Sequence, residues 1–262
     1  MIIFTGRTVM ATWVVGDVHG YYDEFIELIN NPEIRDDDTI ILIGDIIDRG
    51  PKSVEMLRWA MENISDNGRY QMVCGNHEDN IINDYDSQKS YFERWTPNGI
   101  YGDADISILN SNYRFDVYMN AAGYKQVKDV EPMIDWFRTL PLTKRVTVTT
   151  PEGSPQTYII AHGWYGSSFS RMSILWYRDV SDYTNIFLPD YMPENGEILV
   201  HGHTPVFKIY GYPEDGVVHF REHSINVDCG SYNPEWGGRL GALRLEDRKT
   251  LYVKTGNLRK GS

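Results

Sequence analysis

Seven histidines occur in this chain, and five of them, His19, His77, His162, His201 and His203, stand after short apolar runs. Carboxylates share those places. Asp17 precedes His19, and Asp45 and Asp48 lie with Arg49 in Gly44-Asp45-Ile46-Ile47-Asp48-Arg49-Gly50, at the end of Thr39-Ile40-Ile41-Leu42-Ile43. A carboxylate carried out of water without a partner is costly, so acids at a buried strand end imply cations or a charged ligand. One histidine after a strand is ordinarily a structural residue, whereas five in one format point to ligands. Two divalent cations about 3.5–4 Å apart repel, and a carboxylate between them is the natural bridge, a part that suits Asp45. Asp17, His19, Asn76, His162 and His203 add nitrogen and oxygen donors of borderline hardness, which fit manganese, iron or zinc better than magnesium alone or calcium. The planar guanidinium of Arg49 can hold two phosphate oxygens at once. His201 is read as a buried structural neighbour of His203, and Asp36-Asp37-Asp38 as a solvated turn before a strand.

Six apolar runs must position these groups: Trp13 to Val15, Ile40 to Ile43, Met72 to Cys74, Tyr158 to Ala161, Ile198 to Val200 and Ile225 to Val227. Short runs rich in β-branched residues and bounded by glycine read as buried strands, and ligands gather beyond their carboxyl ends. Tyr22, Phe25, Ile26 and Ile29, then Val54, Leu57, Met61 and Ile64, recur at helical spacing, with Pro51 and Ser53 at the second start. The front therefore reads β-α-β-α-β. Arg145–Thr150 with Gln156–Ile160, and Leu240–Leu245 with Thr250–Val253, read as antiparallel hairpins. The fold class is α/β (α+β), with two packed mixed sheets flanked by helices. One domain spans 1–262. It carries a helical insertion over 79–135, whose scattered aromatics either cover one side of the site or pack a small subdomain of their own.

The 262 residues, 41% of them hydrophobic, suffice for a full core. A formal charge of −12 disfavours stable binding to nucleic acid or anionic membranes, so an anionic substrate must be held by local cations. Neither a spanning apolar stretch nor a secretory signal is evident, and a cytoplasmic location is expected. Cys74 and Cys229 are expected to be buried, reduced thiols.

Gly16-Asp17-Val18-His19-Gly20, Gly44 to Gly50 and Gly75-Asn76-His77-Glu78, in this order and spacing, resemble the three signature motifs of the phosphoprotein phosphatase family of metallophosphoesterases. His162-Gly163 and His201-Gly202-His203-Thr204 extend the resemblance. Trp176-Tyr177-Arg178 is similar to an element of the bacterial and phage branch, typified by the phage lambda protein phosphatase. The resemblance runs from about Trp13 to Gly230 and implies a calcineurin-like fold. It assigns Asp17, His19 and Asp45 to one metal, and Asp45, Asn76, His162 and His203 to the other. Manganese is the favoured ion, with iron, zinc or nickel as other candidates. Arg49 and Arg178 would hold the phosphate, with Asn76 and His77 beside it; His77 would donate the proton, oriented by Asp48. Trp164 stands where many eukaryotic relatives have a second glycine, and no regulatory subunit is implied.

The activity implied is hydrolysis of phosphate monoesters by direct attack of a hydroxide held between the metals, in the manner of a serine/threonine, or also tyrosine, protein phosphatase. The expected partner is a phosphorylated protein or a small phosphoester. Symmetrical diadenosine tetraphosphate hydrolases share most of these motifs but typically have alanine at the position of Asp48, so that residue favours an alkoxide leaving group. A nucleotide or polynucleotide-end phosphatase and a phosphate-binding module without turnover are the remaining alternatives. The module would be free to lose His77, Asp48, Arg49 or Arg178, and this chain has all four.

Overall fold

Residues 10–96, 99–109, 114–164, 171–176, 195–210 and 216–256 are described by the computed structural model of the chain. Its front alternates β1 (Thr12–Val15), α1 (Tyr22–Ile29), β2 (Thr39–Leu42), α2 (Ser53–Asn63) and β3 (Tyr70–Met72), with the three strands parallel and adjacent. Parallel neighbours require a crossover, and the two amphipathic helices supply it. Three helices follow, α3 (Asn76–Trp95), α4 (Phe115–Ala121) and α5 (Val127–Thr139), and then the antiparallel hairpin of β4 (Thr143–Thr149) and β5 (Pro155–Ala161). The order continues α6 (Arg171–Trp176), β6 (Ile198–His201), α7 (Val206–Tyr210), β7 (His219–Phe220) and β8 (Ser224–Asn226). It closes on the second hairpin, β9 (Arg239–Arg244) with β10 (Thr250–Lys254).

Two five-stranded mixed sheets result, ordered β10-β9-β1-β2-β3 and β4-β5-β6-β8-β7. Successive strand residues point to opposite faces, and burial follows that alternation. Val14, Ile41 and Ile43 of the first sheet pack with Tyr158, Ile160, Val200 and Ile225 of the second. Trp13, Val15, Ile40 and Leu42 point the other way, onto Phe25, Leu28 and Leu57 of α1 and α2. On the outer face of the second sheet, Ile159, Ala161 and Leu199 pack with Trp164 and Ile174. Because the central strands are covered on both faces, they are written as continuous apolar runs instead of alternating patterns.

Segment 79–135 is largely helical, and its Ile106, Leu109, Phe115, Met119, Val130 and Ile134 join the hydrophobic cluster that holds Trp13 and Val15. It extends the first core and also reaches the strand-end loops through Tyr118, which donates a hydrogen bond to Asp48.

The acidic run before β2 departs from expectation. Asp36 and Asp37 are exposed, but Asp38 is buried. Its carboxylate accepts from the Ala11 amide at 2.9 Å, the Trp13 indole at 3.0 Å and the Arg35 amide at 3.0 Å. A buried indole N–H beside a strand start needs an acceptor, and Asp38 supplies it. Cys74 and Cys229 are buried free thiols, as expected. Among the described residues, no helix is long and apolar enough to cross a membrane.

Candidate active site

The loops leaving β1, β2, β3, β5 and β6 converge on one centre, and the backbone is unusual there. His19, Asp45, Asp48, Arg49 and His203 all have positive φ, between 48° and 73°. Non-glycine residues avoid this region unless their surroundings hold them in it, so these side chains are aimed by backbone strain that the fold over-determines. Glycines make room for them. A Cβ on Gly202 would collide with the Asp17 carboxylate, and one on Gly75 with the amide and carboxylate of Asp45.

Asp45 stands between two groups of donors. Its Oδ1 lies 3.4 Å from His162 Nε2, and its Oδ2 lies 3.7 Å from His19 Nε2 and 3.7 Å from His77 Nε2. Potential ligand atoms of His19, Asp45 and His77 lie within 4.8 Å of one another, as do those of Asp45, His162 and His203. Asn76 joins the second group, its Oδ1 lying 2.8 Å from His162 Nε2 and 2.8 Å from His203 Nδ1. His19 and His162 are each anchored through Nδ1 to a backbone carbonyl, of Ile47 and Ile43 respectively, at 3.0 Å. That contact places the Nδ1 proton and leaves Nε2 toward Asp45, an arrangement typical of metal-ligating imidazoles. Asp17, expected beside His19, falls outside both groupings and accepts from the His203 amide at 3.2 and 3.3 Å. His77 completes the first grouping by proximity, with its Nδ1 committed to Asp48 at 2.6 Å. The buried donor set of carboxylates, imidazoles and an amide oxygen, arranged in two groups about one shared carboxylate, fits a pair of divalent ions.

Charge is concentrated accordingly. Burial would raise the Asp45 carboxyl, yet His162, His77 and His19 together hold it well below the usual range. Burial pulls His162 down, but Asp45 and Asp17 lift it to about 10. Burial and the neighbouring Asp228 push Asp17 well up, and burial leaves Asp228 at about 6. Burial and the His77 charge depress His19, favouring the neutral imidazole that ligation requires.

Arg49 lies at the mouth, its guanidinium 3.8 Å from the centre of the Tyr232 ring and its Nη2 3.2 Å from His77 Nε2. A cavity of about 160 Å³ opens here between Asp45, Asn76, Arg49, Trp176, His203 and Lys208. Asp48 is buried between His77 and Tyr118, whose hydroxyl donates to it at 2.9 Å. His201 is buried with its ring edge-on to Trp164, outside both donor groups. Arg178 lies outside the described residues.

The sequence reading left four neighbours without a role. Glu78 accepts from the amides of Asp45, Ile46 and Gly75 at 2.9–3.0 Å, which ties the loop after β2 to the start of α3. Burial and Asp45 raise its pKa to about 7. It stands inside a quoted motif, so its position was a signal. Asp228 follows the apolar run Ile225 to Val227, another available signal. Tyr118 and Tyr232 belong to no motif and could be found only from coordinates.

The family model for the calcineurin-like phosphoesterases matches residues 10–229. The chain belongs to that family. This phosphoesterase is 26% identical over 252 residues, 89% of each chain, to an asymmetrical bis(5'-nucleosyl)-tetraphosphatase, PrpE, of Halalkalibacterium halodurans. It is 24% identical over 272 aligned positions to a symmetrical bis(5'-nucleosyl)-tetraphosphatase of Chromobacterium violaceum, covering 92% of this chain and 94% of that one. Identity to a symmetrical bis(5'-nucleosyl)-tetraphosphatase of Buchnera aphidicola is 37%, over 101 residues that make up 38% of this chain and 35% of the relative. Among solved structures, the fold is shared with a candidate diadenosine tetraphosphatase, at a TM-score of 0.57 and 16% identity over 96% of this chain and 97% of that one. It is shared too with a protein serine/threonine phosphatase from Saccharomyces cerevisiae, at 0.55 and 13% over 97% and 82%. The calcineurin-like fold and phosphoester hydrolysis thus stand, and the relatives are named for dinucleotide substrates where the motifs alone suggested phosphoproteins.

Proposed function

We propose that this phosphoesterase hydrolyses dinucleoside tetraphosphates. The observation that carries this reading is that both relatives aligned along about nine tenths of each chain are named as bis(5'-nucleosyl)-tetraphosphatases. The site is chemically suited to it. Asp45 would be shared by two ions, with His19 on one side, joined by Asp17 on the strength of the resemblance, and Asn76, His162 and His203 on the other. When bound, such a pair acidifies a water beside the phosphorus and draws charge from the phosphoryl oxygens. Arg49 would bind non-bridging oxygens of the scissile phosphate, held in place by the Tyr232 ring. Arg178 is kept as a second phosphate ligand on the strength of the resemblance. His77 would donate from Nε2, the atom that Arg49 Nη2 approaches to 3.2 Å, to the departing oxygen once that nitrogen carries a proton, while Asp48 holds Nδ1.

That His77–Asp48 pair favours a second reading. A departing alkoxide needs a proton, whereas a departing phosphate is a stable anion, so a buried carboxylate 2.6 Å from the acid suits phosphate monoesters, including phosphoserine and phosphothreonine. Incubation with diadenosine tetraphosphate and manganese, with products resolved by anion exchange, tests the first reading. Two ADP or ATP plus AMP supports it, and the product pair tells which bond breaks. Rapid release from phosphopeptides with no dinucleotide turnover would replace it with the second reading.

A further inference from the structure

A second depression adjoins the catalytic cavity. About 640 Å³ in volume, it runs between the loop after β2, the first half of α2 and helix α4, and its walls include Arg49, Glu55, Arg58, Arg114, Val117 and Tyr118. Arg49 lines the catalytic cavity and this groove alike, so the two are continuous through one guanidinium. The groove also lies behind the proton donor, because Tyr118, in its wall, donates to Asp48, and Asp48 holds His77. A leaving group that extends past Arg49 would meet it.

The charge of the groove runs against that of the chain. In a protein of formal charge −12, this wall presents three arginines against the single carboxylate of Glu55. Arg58 is held in place by its Nε and Nη2, which donate to the Tyr124 hydroxyl at 3.1 and 3.0 Å. That contact uses two of the five N–H donors of a guanidinium. Among the described residues, neither Arg58 nor Arg114 is ion-paired, although both are exposed. Cations on a concave wall, joined to a phosphate site by a shared arginine, are suited to a chain of phosphates.

We propose that the groove between α2 and α4 is a subsite for an anionic extension of the substrate on its leaving-group side, a further phosphoryl group held by Arg58 and Arg114. The proposal rests on the reading that Arg49 and the buried centre bind the scissile phosphate, and it gives the dinucleotide a place for its second half. The test is competitive inhibition of p-nitrophenyl phosphate hydrolysis by inorganic tripolyphosphate and by orthophosphate, with manganese kept in excess of both. Replacing both arginines (R58Q with R114Q) should raise the tripolyphosphate inhibition constant about tenfold and change that of orthophosphate by less than about twofold. Because Arg58 also anchors Tyr124, A121E provides a second variant that sets a carboxylate on the groove wall and leaves both arginines in place. It should weaken tripolyphosphate selectively as well. Equal changes in both constants, or no change in either, would overturn the subsite. Diadenosine tetraphosphate turnover by the wild type is scored separately, so failure of the dinucleotide reading leaves the inhibition result interpretable.

Discussion

Changing Asp48 to Asn tests how protonation of the leaving group is organised. In the native site Asp48 Oδ2 lies 2.6 Å from His77 Nδ1, and its Oδ1 accepts from Tyr118. Asparagine keeps the shape and can still accept from Tyr118, but it turns an N–H toward His77 Nδ1. The imidazole must then present a lone pair at Nδ1, which favours a neutral ring whose Nε2–H is a far weaker acid than the imidazolium. A hydrogen bond to a charged group contributes about 1.5–3 kcal/mol, which corresponds to roughly 10–150-fold in rate when the bond serves the transition state. The loss should depend on the leaving group: about that size on phenyl phosphate or a phosphoserine peptide, and at most a few-fold on a dinucleotide, whose departing phosphate needs little proton help. The assay is kcat/KM on each substrate at fixed manganese, with bound metal measured in parallel. An equal loss on every substrate, or loss of metal, would refute the role assigned to the pair.

Asp45→Asn should reduce binding of both ions, whereas His77→Asn should keep metal content and lower turnover about 10²–10⁴-fold; metal analysis beside activity checks it, and equal metal loss would contradict it. Manganese affinity should rise with pH over about 6–8, because groups whose metal-free pKa is raised, Asp17, Asp228 at about 6 and His162 at about 10, hold protons that the cations must displace. Calorimetry in buffers of different ionisation enthalpy reads those protons, and an affinity independent of pH over that window would count against the coupling. Asp38→Ala leaves the buried Ala11 amide and Trp13 indole N–H without their acceptor. At about 1–3 kcal/mol for each, melting should fall by at least about 4 °C with metal content unchanged, and an unaltered melting temperature would contradict that account.

Much of this architecture was legible before any coordinates, because strands buried on both faces must be written as apolar runs, and each of the six expected runs overlaps a strand, the third by Met72 alone. The donor cluster of the centre was legible for a related reason: side chains that converge at strand ends must follow those strands closely, so His19, Asp45, Asn76, His162 and His203 stand at short, readable offsets. Chain order also determined the parallel front and the two hairpins. It did not determine which polar side chain turns inward. Asp36, Asp37 and Asp38 are identical in type, and only Asp38 meets the Trp13 indole across the strand start. Asp17 likewise accepts from the His203 amide, 186 residues away, and lies outside the two donor groups. Tyr118 reaches Asp48 across 70 residues, and Tyr232 comes from a distant loop to lie under Arg49. Periodicity records which face of an element is covered and is silent about which loop lands on which. Those pairings are decided when the sheets and the helical segment close around one core.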